Sequence, residues 1–464
     1  MRRATMFMLA VALVVGMTLP ALATEVKFNG YYRVRAYSVN NWTANEATKN
    51  NSNFFDNRLD LNMGITVNDR LSVFSEFWIH DGEWGTGTSG IGSNDGSGFS
   101  VRKAWVSYKP TKDFNINLGK QGWGFTSAYN VLMNRKYAPD SIVANWKAGP
   151  GTLTLAYGKL VDCSSTASNT ALSGCALAAT ESDADRDLYL AQYSMKAGPA
   201  TLTPSIMFDR STDTASLVTY KLFYPRLNGA AKVGPVDLKA EAAYIGGEAD
   251  CTETGTASIT TFQGPAVGEC YAGKDAKYQA WSAYLQGGYT FGFGELGLQY
   301  IYASGDGNAT DDKVKAWAPS GSISKTDLGQ YSAIALRHQD ETGLLWYKNG
   351  SVQSTNGIGT VSGAKSGVAL TNAQVFGAYG KSKVAGGDLL GNVFYAKANV
   401  AYLPNQDKDY GTEVSVSYLY PIMKELVLGV SGGYLFAGDY FKGGSSSVNL
   451  SDPWVAQWNV YANF

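Results

Sequence analysis

The sequence predicts an all-β protein whose strands form one closed antiparallel transmembrane β-barrel. We expect about eighteen strands, with sixteen or twenty as alternatives. The first observation is a C-terminal stretch in which apolar and polar residues alternate strictly. The second is a regular alternation of short turns and long loops along the chain. The third is that no stretch after the N-terminal segment has the roughly 18 apolar residues of a membrane-spanning helix. These features favour strands over helices as the elements that cross a membrane.

The last stretch, residues 454–464, shows the alternation most clearly. Successive side chains of a strand point to opposite faces, so one face is apolar with Trp454 and Phe464 at its ends. Gln457 and Asn459 lie on the other face. At about 3.3 Å per residue and a tilt near 40°, the strand spans roughly 25 Å, the height of a barrel's apolar band. We predict that it closes the barrel, faces lipid on one side and a water-filled lumen on the other, and places Trp454 and Phe464 at the membrane rims.

The N-terminal segment predicts export. Arg2 and Arg3 precede an apolar run at about 6–17, and Ala21-Leu22-Ala23 is a small-x-small cleavage site. We expect a signal peptide at 1–23 and a single barrel domain at 24–464, since no linker or shift in composition divides the chain. Without the two arginines, 36 basic residues stand against 39 acidic ones, from totals of 38 and 39. This balance predicts no nucleic-acid partner.

The connections define two rims. Three turns share the sequence Lys-x-Gly-Pro, at 147–150, 196–199 and 232–235, and Gly-Pro is a strong turn signal. The long loops lie between them, including a run of about seventy residues at 303–372. Short periplasmic turns and long extracellular loops are typical of outer-membrane barrels. We predict strands at 26–38, 56–67, 70–81, 99–109, 114–121, 142–148, 152–162, 186–197, 201–210, 226–233, 238–246, 278–290, 295–302, 373–382, 389–402, 412–420, 426–436 and 454–464, and leave 216–223 and 331–348 ambiguous.

The third long loop, residues 122–140, is more apolar and aromatic than its Gly- and Ser-rich neighbours. A loop in bulk water gains nothing from exposed aromatic side chains, whereas a loop folded into the barrel buries them on the inner wall. We therefore predict that this loop forms the pore constriction, with an ordinary surface loop as the alternative. The predicted constriction residues are Trp123, Tyr129, Arg135, Lys136 and Asp140.

Charged residues on the polar faces of the first five strands are expected to line the lumen, because a charge costs more against lipid than against water. Rings of charge set the ion preference of a pore, and a set rich in arginine favours anions. The alternative is that these residues only solvate the lumen. The predicted pore-wall residues are Arg33, Arg35, Arg58, Asp60, Arg70, Glu76, Arg102, Lys103 and Lys120.

The four cysteines form two local pairs, each in a polar stretch of small residues. In an exported protein this predicts loop disulfides, Cys163 with Cys175 and Cys251 with Cys270. Metal binding is the weaker alternative, because no histidine lies near either pair.

Other site chemistry finds little support. Residues 304–312 and 93–96 carry oxygen ligands that suit Ca²⁺, but neither stretch matches an EF-hand, so solvated loops are favoured. The two histidines, His80 and His338, have no nucleophile or acid motif around them. We predict no enzymatic activity, no cofactor and no metal.

The export segment, strand pattern, third loop and C-terminal strand resemble those of the general porins of Gram-negative outer membranes. The strand end Leu118-Gly119-Lys120-Gln121 is a loose match to the Leu-x-x-Gly-Arg pattern that precedes the third loop in that family. The resemblance implies an outer-membrane location, contact with lipid and lipopolysaccharide, and recognition by the barrel-assembly machinery. It also implies a homotrimer, for which small residues on apolar faces, Ala240, Ala242 and Ala280, would allow flat contact.

The chain departs from that family in two ways. General porins usually have sixteen strands, and their third loop usually carries acidic groups, whereas here Arg135 and Lys136 accompany only Asp140. We expect a porin for the passive diffusion of ions and small hydrophilic solutes. The alternatives are a channel specific for sugars or organic acids, and a structural sleeve around a partner protein.

Overall fold

The computed structural model describes residues 25–41, 44–48, 51–83, 99–123, 138–161, 185–211, 218–251, 275–308, 311–317, 372–401 and 404–464. Within them lie eighteen long strands and one strand of two residues. These are β1 (Glu25–Asn40), β2 (Asn51–Asn68), β3 (Leu71–Glu83), β4 (Phe99–Thr111), β5 (Phe114–Lys120), β6 (Asp140–Ala148), β7 (Gly151–Val161), β8 (Arg186–Ala197), β9 (Ala200–Ser211), β10 (Val218–Val233), β11 (Val236–Cys251), β12 (Ala276–Phe291), β13 (Gly294–Ala303), β14 (Lys313–Val314), β15 (Ala373–Val384), β16 (Gly387–Ala398), β17 (Asp409–Met423), β18 (Leu426–Ala437) and β19 (Trp454–Asn463). Short 3₁₀ turns lie at Glu46–Thr48 and Asp439–Lys442.

Each long strand pairs antiparallel with the next long strand along the chain, and β14 pairs in parallel with the outer end of β12. The sheet closes because β19 pairs with β1, from Tyr31 opposite Asn463 to Asn40 opposite Trp454. At the end of this seam, the Gly30 amide donates to the Phe464 carbonyl (3.0 Å) and the Phe464 amide donates to the Gly30 carbonyl (3.1 Å). Closure leaves no unpaired edge, as a barrel in lipid requires. The predicted eighteen-strand barrel, closed by the C-terminal strand, is confirmed.

The two rims also follow the prediction. Two-residue turns join β2 to β3 and β4 to β5, and the three Lys-x-Gly-Pro turns join strand pairs on the same rim. The ambiguous segment 216–223 contributes the start of β10, whereas 331–348 lies outside the described residues. Several strands are longer than predicted: β11 runs to Cys251 rather than to residue 246. Backbone pairing continues past the apolar band, where the side-chain pattern no longer signals a strand.

Side chains alternate between a lipid-facing exterior and the interior. In β19, Trp454 and Trp458 are exposed, as is Phe464 just after the strand, whereas Gln457 and Asn459 are buried inside. Aromatic residues recur on the exterior near both rims, as in the aromatic girdles of outer-membrane barrels. Examples are the neighbouring rings of Tyr157, Tyr189, Phe208 and Phe223 on the long-loop side, and of Tyr289, Phe291 and Phe293 on the short-turn side. Among the described residues, the structure has no helix that is long and apolar enough to span a membrane.

Part of the interior is packed with apolar side chains rather than polar ones. Near the long-loop rim, small inward residues of β11–β16 belong to one buried cluster with large residues of the connections, among them Trp317, Tyr440 and Phe441. The small residues are Ala249, Ala276, Ala280, Ala303, Ala373, Ala396 and Ala398. The expectation that Ala280 lies on the outer face is therefore wrong. Both faces of β12 carry apolar residues, so its sequence does not reveal which face is which.

Candidate functional site

Seven of the predicted pore-wall residues come together on one part of the inner wall. β1 supplies Arg33 and Arg35, and β2 places Arg58 and Asp56 directly opposite them. Asp60, Glu76, Arg102 and Lys103 extend the group across β2, β3 and β4. With Trp78 these side chains form what we call the arginine cluster: Arg33, Arg35, Asp56, Arg58, Asp60, Glu76, Trp78, Arg102 and Lys103.

Trp78 lies at the centre of the arginine cluster. Its Nε1 donates to Asp60 Oδ2 at 2.8 Å. The Cζ atoms of Arg58 and Arg102 lie 3.9 Å and 4.0 Å from the centre of its ring. Both guanidinium groups are therefore within cation–π distance of the same indole. Cation–π attraction therefore favours these positions of both guanidinium groups.

A β-bulge makes this arrangement possible. Glu76 of β3 is opposite Lys103, but the next residue, Phe77, is opposite Val101, so Arg102 is an extra residue in β4. In a regular strand, adjacent residues point to opposite faces. A bulge re-aims a side chain, and here both Arg102 and Lys103 reach groups of the inner wall. Arg102 would otherwise be directed towards lipid.

The arginine cluster keeps a surplus of positive charge. Arg35 Nε donates to Asp56 Oδ1 at 2.8 Å, and Lys103 forms an ion pair with Glu76. Arg33 is only 2% exposed, and within the described part of the chain its Nε and Nη2 have no hydrogen-bond partner. Five cations therefore face the three carboxylates of the cluster. Fixed positive charge beside low-dielectric walls produces a focused local field.

Three other predicted residues lie apart from the arginine cluster. Arg70 is exposed in the turn between β2 and β3, at the opposite end of β3 from Trp78. Lys120 and Asp140 are opposite each other at the long-loop ends of β5 and β6. Each is two residues from an outward-facing side chain, Leu118 or Ile142, so the strand alternation places both on the outer face. Their positions are at the rims, and a role for them in the pore stays a prediction.

The third long loop is described only at its two ends. Trp123 is fully buried, and a Cβ atom placed on Gly158 would lie 2.7 Å from its Cζ2 atom. Gly158 belongs to the inward face of β7, so the loop starts by packing an indole on the inner wall. The backbone N–H of Gln121 donates to the Pro139 carbonyl (3.2 Å), which links the two described ends of the loop. Tyr129, Arg135 and Lys136 lie outside the described residues.

A second charged group, not predicted from the sequence, lies on the inner wall formed by β8–β11. Arg226 and Glu241 approach to 3.6 Å, and Arg186 pairs with Asp209 at 3.0 Å. Arg226 Nε also donates to Ser205 Oγ at 3.1 Å. β10 is nine strands from β1, so this wall is opposite the arginine cluster. The sequence did contain a signal for this pair, because Arg226 and Glu241 lie on neighbouring strands. However, the segment 216–223 was ambiguous, so the sequence did not show which residues of β10 point inward.

The other predicted sites are the cysteine pairs and the stretch 304–312. Cys163, Cys175 and Cys270 lie outside the described residues, as does the side chain of Cys251. In the stretch 304–312, the Asp306 carboxylate accepts the backbone N–H groups of Asn308 (3.0 Å) and Lys315 (2.9 Å). Asp312 pairs with Lys277 at 3.0 Å. In the part of the chain that the structure describes, no three His, Cys, Asp or Glu residues are grouped to hold a metal ion.

Comparisons with known proteins identify the fold. No protein-family model and no curated protein matches the chain. Solved structures do match, including a BenF-like porin from Pseudomonas fluorescens Pf-5, at 11% identity over 95% of this chain and 98% of that one, with a TM-score of 0.52. OccK8 (OprE) and the outer membrane protein opdK, both from Pseudomonas aeruginosa, match at 11% identity and a TM-score of 0.50 over 94% of this chain and 98% and 99% of theirs.

At this level of identity the likeness concerns the fold alone. The fold is that of the outer-membrane barrels of Gram-negative bacteria, which agrees with the predicted outer-membrane location. The matching structures are OccK-type and BenF-like porins, so the narrower resemblance to general, trimeric porins is not specifically supported.

Proposed function

We propose that the chain is an outer-membrane porin, a water-filled channel for the passive diffusion of ions and small hydrophilic solutes. The observation that supports this most is the combination of a closed barrel, an apolar exterior and buried charged side chains on the inner face. Charges at these positions are costly unless the interior is polar. The fold shared with solved outer-membrane porins agrees with a channel.

We further propose that the channel prefers anions. The arginine cluster carries five cations against three carboxylates, and cation–π contact with Trp78 favours the positions of two of its guanidinium groups. On the opposite wall, Arg186 pairs with Asp209 and Arg226 pairs with Glu241, so these residues add no net positive charge. A solute that carries negative charge would therefore be drawn towards β1–β4.

The test is the reversal potential of the purified protein in a planar bilayer with a KCl gradient. If the channel prefers anions, the reversal potential should have the sign of the chloride equilibrium potential. Its magnitude should be largest at low salt. The screening length falls from about 10 Å at 0.1 M to about 3 Å at 1 M, so the preference must weaken as salt rises. Absence of single-channel conductance would refute the porin, whereas conductance with cation preference would refute only the anion proposal.

A substrate-specific channel for organic acids is the second candidate. A solved structure at 11% identity and a TM-score of 0.50 is OpdK from Pseudomonas aeruginosa with vanillate, which is a carboxylate. An arginine cluster on the inner wall suits such a solute, because arginine forms paired hydrogen bonds with carboxylates. Saturable uptake of a carboxylate into liposomes would favour this candidate over unselective diffusion.

For assembly, we propose a homotrimer in contact with outer-membrane lipid and lipopolysaccharide, inserted by the barrel-assembly machinery through β19. Ala240 and Ala242 are on the lipid-facing side of β11, where small residues permit close approach between barrels. Light scattering in mild detergent tests the trimer, and a mass near one chain of about 50 kDa would refute it.

A further inference from the structure

Two basic side chains lie directly opposite each other on the outer face of the barrel. Register pairs Arg210 of β9 with Lys221 of β10, and we call these two residues the cation pair. Their chain neighbours Asp209 and Leu222 are fully buried inside, so strand alternation directs the cation pair outward. Opposite residues of an antiparallel sheet have Cα atoms about 4.5–5.5 Å apart, and like charges there destabilise the sheet. An anion between the two groups would remove that cost.

Within the described residues, no carboxylate forms an ion pair with either member of the cation pair. Asp187 is opposite Arg210, but its Oδ1 accepts a hydrogen bond from the Tyr157 hydroxyl at 2.8 Å. Glu248 is opposite Lys221, yet these two side chains form no ion pair in the described part of the chain. Lys221 is exposed and Arg210 is half-buried, so an anion outside the barrel can reach both.

The cation pair lies at the long-loop edge of the apolar band. Arg210 is ten residues after Ala200, which starts β9 at the short-turn rim. At about 3.3 Å per residue and a tilt near 40°, the two residues are separated by roughly 25 Å of membrane height. Phe208 and Phe223, one outward position nearer the membrane centre, stack with ring centres 4.7 Å apart. Beside such an aromatic girdle, the anions outside a barrel are lipid headgroups.

Next to these aromatic rings, towards the membrane centre, the outer surface has a groove, which we call the rim groove. Its volume is about 580 Å³, within the roughly 300–1,000 Å³ of pockets that hold small ligands. Ala144 and Ala191 lie on either side of Leu155 in register, and their small side chains leave the space. Phe208 and Phe223 line the end nearest the cation pair. Leu155 is 48% and Phe223 44% exposed, so the rim groove is open to the membrane and suits an acyl chain.

We propose that the cation pair and the rim groove together bind a phosphorylated lipid of the outer leaflet. Arg210 and Lys221 donate to the phosphate oxygens through charge-assisted hydrogen bonds, and one acyl chain lies in the rim groove. The phosphate offsets the repulsion between the two cations. This proposal names the site of the proposed contact with outer-membrane lipid and lipopolysaccharide, and it rests on that contact. It is independent of the channel, because the site lies outside the barrel.

Three probes separate the role of the phosphate from that of the acyl chains. They are dimyristoyl phosphatidic acid, dimyristoylglycerol, which has the same chains without phosphate, and glycerol 3-phosphate, which has the phosphate without chains. Binding to the purified barrel in neutral detergent is measured by native mass spectrometry. Each Lys or Arg near a membrane surface adds about 5-fold to the binding of an anionic lipid. We therefore expect phosphatidic acid to bind about 25-fold more tightly than dimyristoylglycerol, and glycerol 3-phosphate to bind weakly.

The other outcomes are distinct. Equal binding of the two lipids would overturn the phosphate site but leave general lipid contact in place, whereas binding of neither lipid would refute lipid contact itself. Glycerol 3-phosphate that bound as tightly as phosphatidic acid would reveal a site for soluble phosphate esters and overturn the lipid as occupant.

The first variant is Arg210→Gln with Lys221→Gln. It should weaken the binding of phosphatidic acid about 25-fold and leave that of dimyristoylglycerol unchanged. The matched control, Lys196→Gln with Lys232→Gln, removes two exposed charges at the short-turn rim and should leave both unchanged. Equal losses in the two double variants would show that net charge attracts the lipid, and would overturn the site.

The second variant, Ala191→Phe, fills the rim groove and keeps the cation pair. It should weaken the binding of phosphatidic acid, and unchanged binding would overturn the role of the groove. A lower mass of the assembly in light scattering, with lipid binding unchanged, would identify a second barrel as the occupant. Single-channel KCl conductance should be the same in all variants, so these outcomes are separate from the test of the channel.

Discussion

The guanidinium carbon of Arg102 lies 4.0 Å from the centre of the Trp78 ring, and a β-bulge in β4 brings it there. The guanidinium carbon of Arg58 lies 3.9 Å from the centre of the same ring. Trp78 is thus the support on which two charges of the inner wall are held. A charge held in place affects passing ions more than one on a mobile side chain, because no reorganisation is needed when the ion arrives.

Replacing Trp78 with leucine should therefore weaken ion preference without removing any charge. Each cation–π contact at such a site contributes about 0.5–1 kcal/mol, so we expect the anion-to-cation permeability ratio to fall by a factor of about 2 to 5. The measurement is the reversal potential at low salt. Trp458→Leu is the matched control, since Trp458 is on the outer face against Phe55. An equal shift in both variants would show that loss of any tryptophan perturbs the pore.

The contact between Trp123 and Gly158 predicts a position where even one methyl group is harmful. A Cβ on residue 158 would lie 2.7 Å from the indole, and overpacking of this kind costs about 1–3 kcal/mol. Gly158→Ala should therefore lower the temperature at which the folded barrel unfolds in detergent, followed by its heat-dependent gel mobility. Gly64→Ala is the control, because a Cβ there meets nothing within 4 Å. Adding Trp123→Leu to Gly158→Ala should restore part of the loss.

The charges predicted at the constriction can be tested directly. Arg135→Glu with Lys136→Glu should shift the reversal potential towards cations at low salt, since fixed charge in a narrow pore sets the local ion concentration. Deletion of 126–138 should raise conductance. The control is Lys408→Glu with Lys442→Glu, which makes the same charge change in other long connections. An unchanged reversal potential in the Arg135 and Lys136 variant would place the loop outside the pore.

The cysteine prediction concerns two long loops and Cys251, the last residue of β11. Cys163 should be bonded to Cys175, and Cys251 to Cys270, and serine at all four positions should leave the unfolding temperature of the barrel nearly unchanged. Local disulfides close only short segments of the unfolded chain, so we expect the stability of the barrel to depend little on them. Peptide mapping without reductant provides the measurement. Free thiols, or bonds between the two loops, would contradict it.

Much of the fold was predictable because its signals are local. The alternation in β19 and the turn chemistry identify strands, faces and rims with no knowledge of distant residues. The arginine cluster was predictable in its members but not in its arrangement. Strict alternation would send Arg102 and Lys103 to opposite faces, and only the bulge against Glu76 and Phe77 directs both inward. Bulges depend on the register with a neighbouring strand, which no local pattern specifies.

The wall opposite the arginine cluster supplies the last prediction. The Arg226 and Glu241 side chains are 2% and 0% exposed and approach to 3.6 Å. Removing one partner of a buried ion pair leaves an uncompensated charge and costs about 3–5 kcal/mol, whereas replacing both by neutral groups is often nearly neutral. Arg226→Met should therefore lower the unfolding temperature strongly, and Arg226→Met with Glu241→Gln should recover most of it. Because Arg226 also contacts Ser205, recovery should be incomplete. If the double variant is as unstable as Arg226→Met alone, the ion pair does not account for the lost stability. Packing of the arginine side chain against its neighbours would then account for it.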